Sequence, residues 1–106
     1  MKLRMFAIFD SASGVYDRPI CFRAVGEALR FWKHMVLNKD SVVAKSPKDF
    51  SFYQVGEYDD ECGEVRALNK ICVQTGEEVV AESRQIEPGL LGSNGEPIEQ
   101  LPGGTD

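Results

Sequence analysis

Residues 46–65 read SPKDFSFYQVGEYDDECGEV, and how they are read decides the fold. Ser46 stands as a helix N-cap and Pro47 at a first helical position, which predicts one short helical turn. From 50 to 59, Phe50, Phe52, Gln54 and Gly56 alternate with Ser51, Tyr53, Val55 and Glu57. A two-residue period in aromatic and β-branched residues predicts a strand. The polar DDECG that follows is a tight turn, with Gly63 suited to positive φ. Residues 65–73 then read as the returning strand, so the stretch is a hairpin.

The acids of this hairpin invite two other readings. A calcium loop of the EF-hand kind needs oxygen ligands at positions 1, 3, 5 and 12. Counted from Asp59, Glu61 falls at 3, but Gly63 falls at 5 and Lys70 at 12, so the template fails. A carboxylate pair for hydrolysis needs one acid raised by apolar surroundings, and these lie in a hydrophilic turn. No metal or catalytic acid is expected here.

Upstream, KLRMFAIFD at 2–10 sets Leu3, Met5, Ala7 and Phe9 against Phe6 and Ile8. Both faces are partly apolar, which predicts an inner strand. SASGVYDRP at 11–19 is a turn-rich connection. RAVGEALRFWKHMVLN at 23–38 places Val25, Ala28, Leu29, Trp32, Met35 and Val36 on one stripe, the mark of an amphipathic helix. Gly26 inside it costs about 1 kcal/mol against Ala; close packing on a strand would explain it, or it is simply tolerated. Asn38 is the expected stop. Val42 and Val43 are read either as an edge strand or as packing under the helix. Downstream, a further short strand or helical turn is expected near 77–83. From Arg84 the 23 residues RQIEPGLLGSNGEPIEQLPGGTD hold five Gly and three Pro with no apolar period, the composition of a flexible acidic tail.

A chain of 106 residues with 42% hydrophobic content fits one small domain. No stretch reaches the roughly 18 apolar residues of a membrane span. MKLRMFAIFD is too short and too broken an apolar run for a signal peptide. Three cysteines, Cys21, Cys62 and Cys72, form no C-x-x-C pair, and with the single His34 they make no zinc set. Reduced thiols and a cytosolic setting follow. Cys72 reads as a small core residue. His34, beside Arg30 and Lys33, reads as an exposed helix histidine and not as the base of a thiol nucleophile. Gly89, Gly92 and Gly95 make no phosphate or dinucleotide fingerprint.

The net charge of −5 hides an asymmetry. Residues 1–48 carry nine Lys and Arg against four acids, and residues 49–106 three against thirteen. A basic half can bind nucleic acid whatever the total charge. The candidate phosphate contacts are Lys2, Arg4, Arg23, Arg30, Lys33, Lys39, Lys45 and Lys48. Lys2 and Arg4 share a strand face with Phe6, and Tyr53 is a candidate neighbour on the next strand. Bases interleaved with rings suit single-stranded nucleic acid; the competing reading is that the bases solvate a helix and the rings form core.

Three stretches taken together resemble the small nonstructural protein of gokushovirus-type microviruses, which are single-stranded-DNA phages. The first is the opening strand running into Phe9 and Asp10. The second is the helix region, with Pro19, Gly26, Glu27, Ala28, Arg30 and Phe31. The third is Pro47, Asp49, Phe50, Phe52, Tyr53, Val55, Gly56, Glu57, Tyr58, Asp59, Asp60 and Gly63. The resemblance covers about residues 1–75 and leaves out the segment after Arg84. It implies a non-enzymatic viral protein made in the host cytoplasm, DNA-binding, and likened to the small phage factor that switches replication to single-strand synthesis coupled to packaging. It brings no catalytic residues and no cofactor.

The expected architecture is α+β: a small, mostly antiparallel sheet of three to four strands with one amphipathic helix packed on it, spanning 1–83, and a flexible Gly/Pro-rich acidic tail at 84–106. The expected partner is single-stranded DNA, the phage genome. The alternative is a protein–protein adaptor that contacts the replication initiator, the capsid protein or a host factor through the tail and the acidic hairpin. A sheet with one short edge is open to self-association, which makes a homodimer a candidate assembly.

Overall fold

The computed structural model describes residues 1–86. Its strands are β1 (Lys2–Asp10), β2 (Val15–Tyr16), β3 (Ile20–Phe22), β4 (Phe50–Asp59) and β5 (Glu64–Thr75). Its helices are α1 (Val25–Leu37), the single turn α2 (Val42–Lys45) and α3 (Gly76–Ile86), with a 3₁₀ turn at Pro47–Asp49. The strand order is β2-β1-β4-β5, all neighbours antiparallel, and β3 runs on from β2 along the same edge of β1. The sheet is therefore four strands wide, and the class is α+β.

One face of the sheet carries the helices. Phe52 lies at the centre, stacked on Phe6 at 5.1 Å and on Trp32 at 5.2 Å between ring centroids. Ala28, Trp32 and Val36 of α1, Val43 of α2 and Val79 of α3 close over these rings. Each large side chain fully buried here contributes roughly 1.5–3 kcal/mol, against a total stability of about 5–15 kcal/mol for such a domain. The α1 stripe is the one its spacing predicts, and Asn38 ends it by donating its N–H to the His34 carbonyl at 2.9 Å. Gly26 has nothing within 4 Å of where a Cβ would sit, so it is tolerated and not required.

The hairpin of residues 46–65 forms as read, with Gly63 at φ 76° in its turn. Its alternation does not run through. Gln54 pairs with Phe6 and Gly56 with Met5, so Val55 is an extra residue in β4. That bulge reverses the parity. Glu57 and Asp59 thereby join Phe50 and Phe52 on the helix side, while Gly56 and Tyr58 join Tyr53 on the other. Beyond the reach of the helices, the helix side continues as charged rows: Arg4, Glu57 and Arg66, then Lys2, Asp59 and Glu64.

Among the described residues, no helix lies over the opposite face. Directly opposed residues share a face, and four rows cross it: Leu3, Tyr58, Val65; then Cys21, Met5, Gly56, Ala67; then Ala7, Tyr53, Cys72; then Tyr16, Phe9, Ser51, Thr75. Phe9, Tyr16 and Tyr53 pack on one another with centroids 4.6–6.1 Å apart. Tyr53 is thus not on the face of Lys2, Arg4 and Phe6, and Phe6 is fully buried. Cys72 is exposed on this open face, not in the core, because β5 is an edge strand. Partial burial and then Glu78 push its thiol pKa up, which keeps it protonated.

Two further differences concern short elements. Val42 and Val43 form a helical turn and not a strand; Ser41 caps it, accepting the Ala44 N–H at 3.0 Å. α3 replaces the expected short element near 77–83 and runs on to Ile86; the rest of the expected tail, 87–106, lies outside the described residues.

Candidate nucleic-acid interface

The eight predicted phosphate contacts do not form one surface. Lys2 and Arg4 stand at the charged end of the sheet, interleaved with acids. Glu57 is held below the usual carboxylate range chiefly by its bond to Arg66, with Lys2 and Arg4 adding to the effect. A phosphate there would meet as much negative as positive charge.

The acidic turn beside them is also occupied. The Met1 amino group bonds Asp60 at 2.8 Å and Glu61 at 3.2 Å, and these carboxylates raise its pKa. Among the described residues no three His, Cys, Asp or Glu side chains are grouped to hold a metal ion.

Arg30 and Lys33 lie on the outer surface of α1, and Arg23 precedes the helix, its backbone N–H donating to Glu27 at 3.2 Å. Lys33 pairs across to Glu82 of α3 at 3.6 Å, with both side chains about half exposed. Such a pair contributes little to stability, but it lowers the local positive potential. Lys39 is exposed in the turn after α1.

Lys45 and Lys48 are the two that the fold brings together. They line a groove of about 540 Å³ between the α2–3₁₀ segment and α3, walled by Pro47, Val80 and Ala81. A third cation, Arg84, reaches the same groove from α3, and Glu77 is the one acid on its lining. None of the three cations makes an ion pair among the described residues.

Local sequence explains the placement. Ser41 fixes α2 by capping it and by donating its hydroxyl to the Met35 carbonyl at the end of α1. Pro47 starts the 3₁₀ turn. Thr75 and Glu78 form a reciprocal capping box: Thr75 Oγ1 accepts the Glu78 N–H at 3.1 Å, and Glu78 accepts the Thr75 N–H at 2.8 Å. This box starts α3 against the 3₁₀ turn, where Gly76 meets the Pro47 backbone. Residues 77, 80, 81 and 84 then fall on one helix stripe and become the groove's second wall.

Arg84 was missed from the sequence because it opens a Gly/Pro-rich segment. The signal that finds it is the box T-G-E-E at 75–78, which predicts a helix long enough to carry Arg84 two turns on. No helix among the described residues is long and apolar enough to cross a membrane.

No curated protein and no solved structure matches the chain. A family model described as Phage ORF5 protein does, over residues 3–79, from β1 into α3. That span takes in the whole sheet, α1 and the Lys45–Lys48 wall of the groove. With most of its length matched, the chain belongs to the Phage ORF5 protein family.

Proposed function

We propose that this phage protein is a non-enzymatic accessory factor of a gokushovirus-type microvirus, binding single-stranded DNA during genome replication or the switch to single-strand synthesis and packaging in the host cytoplasm. The observation that carries this reading is the convergence of Lys45, Lys48 and Arg84 on one open groove with a single acid. Phosphate neutralisation supplies most non-specific affinity for nucleic acid, and it needs clustered cations free of carboxylate partners. Arg30 and Arg23 lie outside the groove lining, on and before α1, and are secondary candidates for phosphate contact. Lys2 and Arg4 take no part, because the acids in their rows cancel them.

The test is fluorescence anisotropy of a labelled oligonucleotide against salt. Three phosphate contacts in the groove give a log–log salt slope of about −2. Reversing Lys45, Lys48 and Arg84 to Glu weakens binding at least about tenfold at low salt and flattens that slope. Reversing Lys2 and Arg4 leaves both nearly unchanged. Absence of binding at low salt, or an unaltered slope in the triple variant, rejects the reading.

A further inference from the structure

We propose that the helix-free face of the sheet is the contact surface of a reversible homodimer, formed by packing two sheets face to face. The four rows across that face contain no charged residue. Lys70, in the irregular part of β5, sets its ammonium 5.9 Å from the centre of the Tyr16 ring. Val65 is 62% exposed and Tyr16 39% exposed, both on this side.

Chemistry selects the occupant. A nucleic acid needs several cations along its path, and this face offers one, Lys70 over the Tyr16 ring. A charged peptide finds no run of complementary charge. Aromatic rings, Met and small apolar residues without charge are the composition of a homodimer interface core, and a neutral face is complementary to a copy of itself.

One edge of the sheet is short, and the other, the 12-residue β5, is irregular and carries Glu64, Arg66 and Lys70, which favours its face over its edges. On one side β2 and β3 are two and three residues long. On the other, β5 pairs with β4 through two register shifts. Short strands and bulges are devices that discourage edge-to-edge pairing. Face packing instead sets two sheets about 10 Å apart.

Area sets the strength. Four strands spaced ~4.8 Å apart, with a rise of ~3.3 Å per residue, make a face of roughly 500 Å². That is at the upper end of apolar patches on monomers, roughly 300–600 Å². It is short of the ~800 Å² per partner of a stable complex. The dimer is therefore weak and concentration-dependent.

Sedimentation velocity on the full chain from about 1 to about 500 µM tests this. The expected result is monomer at the low end and dimer at the high end. Val65→Glu with Ala67→Glu, two exposed positions on the open face, holds the chain monomeric throughout with an unchanged circular dichroism spectrum. Ile71→Glu is the control: it is 58% exposed on the same strand, but it lies in the row of Phe6 and Gln54 on the helix side, so it leaves the dimer intact. A wild-type chain that stays monomeric at every concentration overturns the proposal. So does dissociation by Ile71→Glu and not by the face variant. A face variant that loses oligonucleotide binding at concentrations where the wild-type chain is already monomeric overturns it in favour of nucleic acid.

Discussion

A methyl group cannot be added at Gly76: its carbon would lie 2.2 Å from the Pro47 carbonyl oxygen and 2.9 Å from the carbonyl carbon. Both atoms are backbone, so nothing can swing aside. Gly76→Ala is expected to destabilise the domain by about 1–3 kcal/mol, as overpacking does, read as a lower urea midpoint. Gly26→Ala is its opposite, because open space surrounds that position and Ala is the better helix former; a gain of about 0.5–1 kcal/mol is expected. In the sequence nothing marks Gly76 as required and Gly26 as tolerated. Only the backbone approach of the 3₁₀ turn separates them, and that contact spans residues far apart in the chain.

At the scale of elements, the β4–β5 hairpin carries its own pH sensitivity. Glu57 is lowered first by its bond to Arg66, and Asp59 first by the Glu61 backbone N–H. Both carboxylates titrate lower in the folded state than unfolded. Their contribution is complete above their unfolded values of about 4 and is lost as pH falls through the lower folded values. Melting temperature should drop below about pH 4.5, and Glu57→Gln should flatten that decline while costing little stability at pH 3. The hairpin, the inner strand β1 and α1 were legible because each has a sustained period or a strong turn signal. β2 and β3 were not, since two or three residues show no period. The charged rows were hidden as well. Lys2 and Arg4 look like free bases until β4 returns beside them with Glu57 and Asp59, and Val55 decides which side those acids occupy.

For the molecule as a whole, charge separates along the chain and then partly recombines in the fold. Lys33 finds Glu82, and the bases of β1 find the acids of the hairpin. Among the described residues, the three cations of the groove stay without an ion pair. Residues 87–106 add four acids and no base, which takes the net charge from −1 to −5. Under the proposed function, this added negative charge is expected to oppose phosphate binding. Removing residues 87–106 should raise oligonucleotide affinity severalfold, about threefold or more at low salt, with the gain fading as salt screens it. Equal affinity of the two forms in a side-by-side gel shift at low salt would rule out such competition. The groove was thus half readable: Lys45 and Lys48 were named from sequence, while Arg84 beside them depended on a helix the composition concealed.

The extra residue at Val55 has a wider meaning. It works as a phase shifter in β4, joining two stretches whose in-and-out patterns are out of step. Upstream, aromatic rings point toward the helices; downstream, the same side is handed to carboxylates and the apolar side chains cross over. Were Val55 to take a regular place in the ladder, with no residue lost or gained, the far half of the strand would turn inside out and set Glu57 and Asp59 on the face of Leu3 and Met5. The sidedness of half the sheet therefore rests on one residue staying out of the ladder.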